Sequence, residues 1–216
     1  MSLFDVLVDT QTQQEMSQKI YGVVIGIVSN INDPNKLGRV KVKFPWLSDK
    51  DESYWARIAT PMAGSQRGIY FLPEINDEVL VVFEHGDVGF PYILGALWNV
   101  KDVPPTEAKQ DGKNNIRLIK SRSGHVISLD DTQGQETIEI LDKSKKNSIK
   151  VDTKTNTITI TTDKDITLSA PKGVIKLDAK KIEINSQNTT DITAKAGMNI
   201  EAKGIMNIKG RIINLN

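Results

Sequence analysis

At 216 residues the chain is long enough for one large domain or two small ones, and a net charge of +1 with 25% charged residues leaves no strong field for nucleic acid or an anionic membrane. It has no cysteine and only two histidines, His85 and His125, which excludes disulfides, Cys-based metal sites and most histidine-rich ones. No stretch approaches eighteen consecutive apolar residues, and "MSLFDVLVDTQTQQEM" lacks the basic start and sustained apolar core of a signal peptide, so a protein made in the cytoplasm without a membrane span is expected.

The aromatic residues divide the chain. All twelve lie between Phe4 and Trp98, and residues 99–216 contain none. Large rings dominate the burial of ordinary cores, so this segregation predicts two architectures. They are joined at 99–120, where "NVKDVPPTEAKQDGKNN" reads as a linker.

Residues 1–20 offer one apolar face, Leu3, Phe4, Leu7 and Val8, and read either as a frayed terminus or as a docking arm. From 21 to 98 the pattern is all-β. "YGVVIGIVSNI" carries Gly22 and Gly26 where a strand bends or another backbone approaches, and "NDPNKLG" is a turn. "RVKVKF" then alternates, with Val40, Val42 and Phe44 on one side and Arg39, Lys41 and Lys43 on the other. "YWARIAT", "GIYFLP", "DEVLVVFEHGD" and "PYILGALW" read as further short strands. Five or six of these in so short a span predict a small closed barrel.

The segment 121–216 ends in a repeat. Ile158, Ile166, Val174, Ile182, Thr190, Met198 and Met206 are spaced by eight, and so are Ile160, Leu168, Lys176, Ile184, Ile192, Ile200 and Ile208 two positions later. Near Ile175 the register slips by one. Each unit is a short strand and a corner with two apolar side chains on one face. Such a unit cannot bury its own apolar face, and eight residues are too few to close a coil around a filled core. Several copies winding about one axis solve both problems. A homotrimer is expected, with Ile158, Ile160, Ile166, Leu168, Ile182, Ile184, Ile192, Met198, Ile200, Met206 and Ile208 packed at its axis.

Enzyme chemistry finds no support in the motifs. Asp77-Glu78 and Asp130-Asp131 are the carboxylate pairs on offer; the first is adjacent in a strand-entry turn, so its side chains diverge, and Glu84-His85-Gly86-Asp87 reads as a hairpin turn. There is no nucleophile elbow, zinc spacing or phosphate loop, and no cofactor is expected. Trp46, Tyr54, Trp55 and Tyr70, with Arg39, Lys41 and Lys43, have the makings of a base-stacking platform, but basic residues are not in excess here. Barrel core and subunit contacts are the expected use of those rings, and no nucleic-acid partner is expected.

The stretches "DPNKLGRVKVKFPW", "WARIATPMAGSQRGIYFLPEINDEVLVVFEHGD" and "PYILGALWN" resemble the oligosaccharide/oligonucleotide-binding (OB) domain of phage baseplate assembly protein V and of the VgrG-type spikes of type VI secretion systems. "SRSGHVISLDDTQGQETIEILD" is similar to the region where such spikes pass from barrel to β-helix. Asn76 stands where the family usually has glycine, and Asn tolerates the same left-handed turn. The resemblance implies an all-β homotrimer, an OB barrel followed by an intertwined β-helical needle, acting as the central spike of a contractile injection machine. It implies a separate hub protein above the barrel, with Leu3, Phe4 and Leu7 as docking candidates. It also implies a tip protein of the proline-alanine-alanine-arginine (PAAR) type on Arg211, Ile212, Ile213, Asn214, Leu215 and Asn216, and a target cell envelope that is pierced. The alternative is a trimeric fibre recognising cell-surface carbohydrate, against which stands a repeat with no aromatic ring to stack on a sugar.

Overall fold

The computed structural model describes residues 19–108 and 111–214. The expected docking residues Leu3, Phe4 and Leu7 lie outside the described residues, as do Leu215 and Asn216 at the other end. Two compact units divide at Asp163/Lys164.

In the first unit six strands form one sheet: β1 (Val24–Asn30), β2 (Lys41–Phe44), β3 (Ser48–Glu52), β4 (Arg57–Ile58), β7 (Glu78–Phe83) and β8 (Pro91–Leu97). Strand β1 pairs antiparallel with β2 on one side and β7 on the other, and β7 continues antiparallel to β8. The chain from β3 to β4 closes the ring. It leaves β2 antiparallel, makes a Val40–Ala56 bridge, and reaches β8 in parallel. Five antiparallel or bridging seams and one parallel seam give the partly open Greek-key barrel of an OB fold.

Alternation fills this barrel. Val40, Val42 and Phe44 point inward, as their spacing from charged neighbours predicts, and meet Val28, Ala56, Val79, Val81, Phe83 and Ile93. Gly26 is what lets β1 pass so close. A β-carbon there would lie 3.2 Å from Val42 and Val81. The loop before β2 is organised by one carboxylate. Asp33 takes two hydrogen bonds from the Arg39 guanidinium, at 2.9 and 2.7 Å, and others from the backbone N–H groups of Asn35 and Leu37. At the opposite turn Asn76 has φ 78°, the left-handed geometry that Asn tolerates.

Within the barrel the structure departs from the sequence reading in three places. Strand β3 forms in the all-polar stretch Ser48–Glu52 at a sheet edge, with no apolar alternation to betray it. "GIYFLP" is not a strand: only Arg67–Gly68 (β6) pairs, with Ala63–Gly64 (β5), while Tyr70 and Phe71 are exposed. The rings expected in the core are largely outside it, with Trp46, Tyr54 and Tyr70 exposed. So narrow a barrel is filled by Val, Ile and two Phe side chains, and the pleat turns the remaining rings outward.

After the barrel come β9 (Ile116–Lys120), β10 (Val126–Asp130), β11 (Thr137–Leu141), β12 (Ser148–Asp152) and β13 (Thr157–Thr161), a five-stranded antiparallel meander in chain order. Strand β9 thus starts inside the 99–120 segment read as linker, where Ile116 and Leu118 alternate with Arg117. Ile158 and Ile160, read as the first pair of the repeat, form part of β13.

In the second unit the backbone bends at 187–188, 195–196, 203–204 and 211–212, eight residues apart, in step with the apolar rows. Among its described residues none is in a strand, and every one is exposed.

Candidate assembly interface

The meander's register gathers its aliphatic residues on one face. Directly opposite residues in an antiparallel pair share a face, as do residues two apart on a strand. Ile119 pairs with Ile127, Ile127 with Ile140, Ile140 with Ile149, and Ile149 with Ile160, a row of five isoleucines across all five strands. Beside it runs a second row, Arg117, Leu129, Ile138, Val151 and Ile158. Nine aliphatic side chains therefore cover this face, and eight of them are between 43% and 72% exposed. The opposite face is mostly polar, with Ser128, Glu139, Lys150 and Thr159 in its central row.

Strand ends are fixed by local polar bonds. Arg117 is ion-paired with Asp131, Lys120 with Glu107 at 2.7 Å, and Arg122 with Glu74 of the barrel at 2.8 Å. Between β11 and β12 the turn is built on Asp142. Its partial burial pushes the carboxyl pKa up, but the Ser144 hydroxyl, the Asn147 amide and the N–H groups of Asn147 and Lys146 outweigh this and hold it at about 2. At the barrel the Arg39 guanidinium holds Asp33 far below the usual carboxylate range.

The second unit shows the complementary deficit. From residue 165 onward the backbone–backbone hydrogen bond among the described residues is Gly173 N–H to Ala170 O, at 3.1 Å. Dozens of main-chain groups must therefore find water or another chain. The side chains expected at a trimer axis, Ile166, Leu168, Ile182, Ile184, Ile192, Met198, Ile200, Met206 and Ile208, are all exposed in the single chain, as are Arg211, Ile212, Ile213 and Asn214.

The clusters weighed for catalysis sit at strand ends, Asp77-Glu78 where β7 starts and Asp130-Asp131 where β10 stops, or in the turn that follows β7. Glu84 accepts a hydrogen bond from the Tyr92 hydroxyl, and Asp87 caps Gly89 N–H at 2.8 Å. Asp77 bonds Glu74 N–H at 2.8 Å, while Glu78 takes Asn99 Nδ2 at 3.0 Å, so these neighbours diverge. Among the described residues no three His, Asp or Glu side chains gather as metal ligands. Two of the three cations of the possible stacking platform are engaged within the chain: Arg39 by Asp33, and Lys41 by Glu52 at 3.4 Å and by the Trp55 ring at 5.5 Å.

Comparison with known proteins adds to this picture. Residues 24–98 match the family described as the type VI secretion system/phage-baseplate injector OB domain. Over 111 residues, 48% of this chain, the sequence is 32% identical to type VI secretion system spike protein VgrG3 of Vibrio cholerae, covering 11% of that protein. Over 124 residues, 54% of this chain, it is 31% identical to type VI secretion system spike protein VgrG5 of Pseudomonas aeruginosa, covering 16% of it. A third relative, actin cross-linking toxin VgrG1 of Vibrio cholerae, is 32% identical over 108 residues, 47% of this chain and 10% of its own. The chain spans only a small part of these relatives' length. The matched segment coincides with the barrel, β1 to β8, so residues 24–98 are similar to the OB domain of VgrG-type and baseplate-V spike proteins.

Proposed function

We propose that the chain is the central spike of a contractile injection machine, a homotrimer that transmits the force of sheath contraction to a target cell envelope. The observation that carries this reading is the pairing of an apolar sheet face with a repeat whose backbone groups have almost no partners in their own chain. Both deficits are met by further copies. Three equivalent faces close on one another around an axis, and strands exchanged between chains satisfy the repeat. Fully burying an aliphatic side chain is worth ~1.5–3 kcal/mol, so side chains already half covered contribute about 1 kcal/mol each. Nine per chain give roughly 9 kcal/mol, enough to compete with the cost of association.

The relatives' names supply the setting: two are spike proteins of type VI secretion systems. In this reading the OB barrel docks beneath a baseplate hub, with Leu3, Phe4 and Leu7 as contacts. The 164–216 segment is a triple-stranded β-helical needle, and Arg211 to Asn216 seats a PAAR-type tip protein. The role is mechanical and needs neither catalytic residue nor cofactor. The test is deletion of the coding sequence in the producing cell. Particles lacking the chain are expected to leave target envelopes intact, with puncture restored by the wild-type chain but not by one lacking residues 164–216. Puncture at wild-type level without the chain contradicts the reading.

A further inference from the structure

We infer that the β9–β13 sheet is the element that brings the copies together and sets their register, and that the repeat assembles only after it. The inference rests on the proposed trimer, and the occupant of the isoleucine face is the same face of two other copies of this chain.

The two parts differ in what one chain can complete alone. In the meander each neighbouring pair of strands is in register over five residues, and all the pairing is within one chain. The hairpin ends are tied by the Asp142 turn and by the Arg122–Glu74 pair to the barrel. A single chain can therefore present the aliphatic face ready-made. From residue 165 to 214 nothing comparable exists: ordering that backbone returns no ladder of hydrogen bonds until other chains are already beside it. An element that cannot fold before the copies meet cannot be what makes them meet.

The repeat is also a poor judge of register. Sliding one copy by eight residues places Ile200 where Ile192 stood, Met206 where Met198 stood and Ile208 where Ile200 stood, so both apolar rows stay in contact. Weakly specified register of this kind invites slippage. The sheet face does not repeat. One row is five isoleucines, and the other ends in Arg117, held by Asp131. A displaced copy would bring this ion pair against aliphatic side chains and leave the isoleucines uncovered, which penalises every register but one.

The experiment compares substitutions on the full chain. Ile140→Lys and Ile149→Lys place a charge in the middle of the row, and Ile200→Lys places one in the repeat. Mass is followed by light scattering with size exclusion at micromolar concentration. Tryptophan emission reports folding of the barrel alone, since every aromatic residue precedes residue 99. The expected result is a trimer for the wild type and for Ile200→Lys, and at least a tenfold loss of trimer for both sheet variants, with barrel emission unchanged. Sheet variants that remain as trimeric as wild type, or an Ile200→Lys chain that dissociates as fully as they do, overturn the inference while leaving the trimer intact. A monomeric wild type instead removes the trimer reading on which it rests. Register is read from a spin label on Gln187→Cys, the only thiol in the chain. One narrow distance is expected in the wild type. The milder Ile140→Thr is expected to add a second, slipped population, and a single unchanged distance in that variant contradicts the registering role.

Discussion

Gly26→Ala is a small perturbation whose cost follows from the barrel's geometry. The added methyl group would lie 3.2 Å from Val42 Cβ and Val81 Cγ2 and 3.3 Å from Val42 Cγ2. Carbon pairs prefer ~3.5–4.0 Å, so three contacts are compressed at once. Both valines are fully buried, and β1 is held between β2 and β7, so neither neighbour has open space to enter. Overpacking of this kind costs ~1–3 kcal/mol. Restricting the unfolded chain returns ~0.4–1 kcal/mol, leaving a net loss of about 0.5–2 kcal/mol. Gly22 is the internal control, because a β-carbon there meets nothing within 4 Å. Guanidinium unfolding at fixed protein concentration, followed by tryptophan emission, should give a lower midpoint for Gly26→Ala and an unchanged or higher one for Gly22→Ala. Adding Val42→Ala to Gly26→Ala should cost less than Val42→Ala costs alone, since the methyl occupies part of the vacated space. Equal midpoints for the two glycine variants, or simple additivity in the double variant, would refute the close-approach argument.

Other consequences concern acid, core packing and the repeat. Asp33 and Asp142 have folded pKa values depressed below the ordinary 3.8, Asp142 to about 2. Their contribution is therefore complete above about pH 4 and is lost as pH falls through the folded values, so unfolding midpoints should decline between pH 4 and 2 and continue to decline below. Asp33→Asn should flatten that decline, and an identical slope in variant and wild type would contradict the assignment. Val81→Ala opens a cavity in the barrel and should lower its stability by ~2–4 kcal/mol in the same unfolding assay, against less than ~1 kcal/mol for Val88→Ala at an exposed position. Ile200→Asp places three carboxylates near the proposed axis and should open the repeat to protease while sparing residues before Lys164; an equally resistant repeat would sink the axial packing.

The barrel was legible where one face is buried and the other is not. Arg39 to Phe44 and Glu78 to Phe83 alternate because a pleated strand has only one face in the core. Strand β3 was illegible for the converse reason: Lys50, Asp51 and Glu52 are all exposed, so no buried face marks them. Ile69, Tyr70 and Phe71 misled because apolar content alone does not supply a pairing partner. The meander's face was hidden by spacing: Ile149/Val151, Ile158/Ile160 and Ile166/Leu168 are successive i, i+2 pairs nine and then eight residues apart. Nothing in that rhythm marks where pairing within one chain stops. Pairing does stop there, after Thr161, because the later units offer corners such as Asn185-Ser186 rather than hairpin turns like the Asp142 to Asn147 loop. The repeat's period was legible, and what it packs against was not, since every described residue of the second unit is exposed in the single chain.

The central claim is that this chain works as a trimer, and the mass of the full-length protein in solution tests it most directly. Light scattering coupled to size exclusion should give three times 24.0 kDa, about 72 kDa, persisting in mild denaturant. A mass of 24.0 kDa at concentrations where the barrel is folded would leave nine aliphatic side chains and the repeat backbone without partners, and would contradict the account.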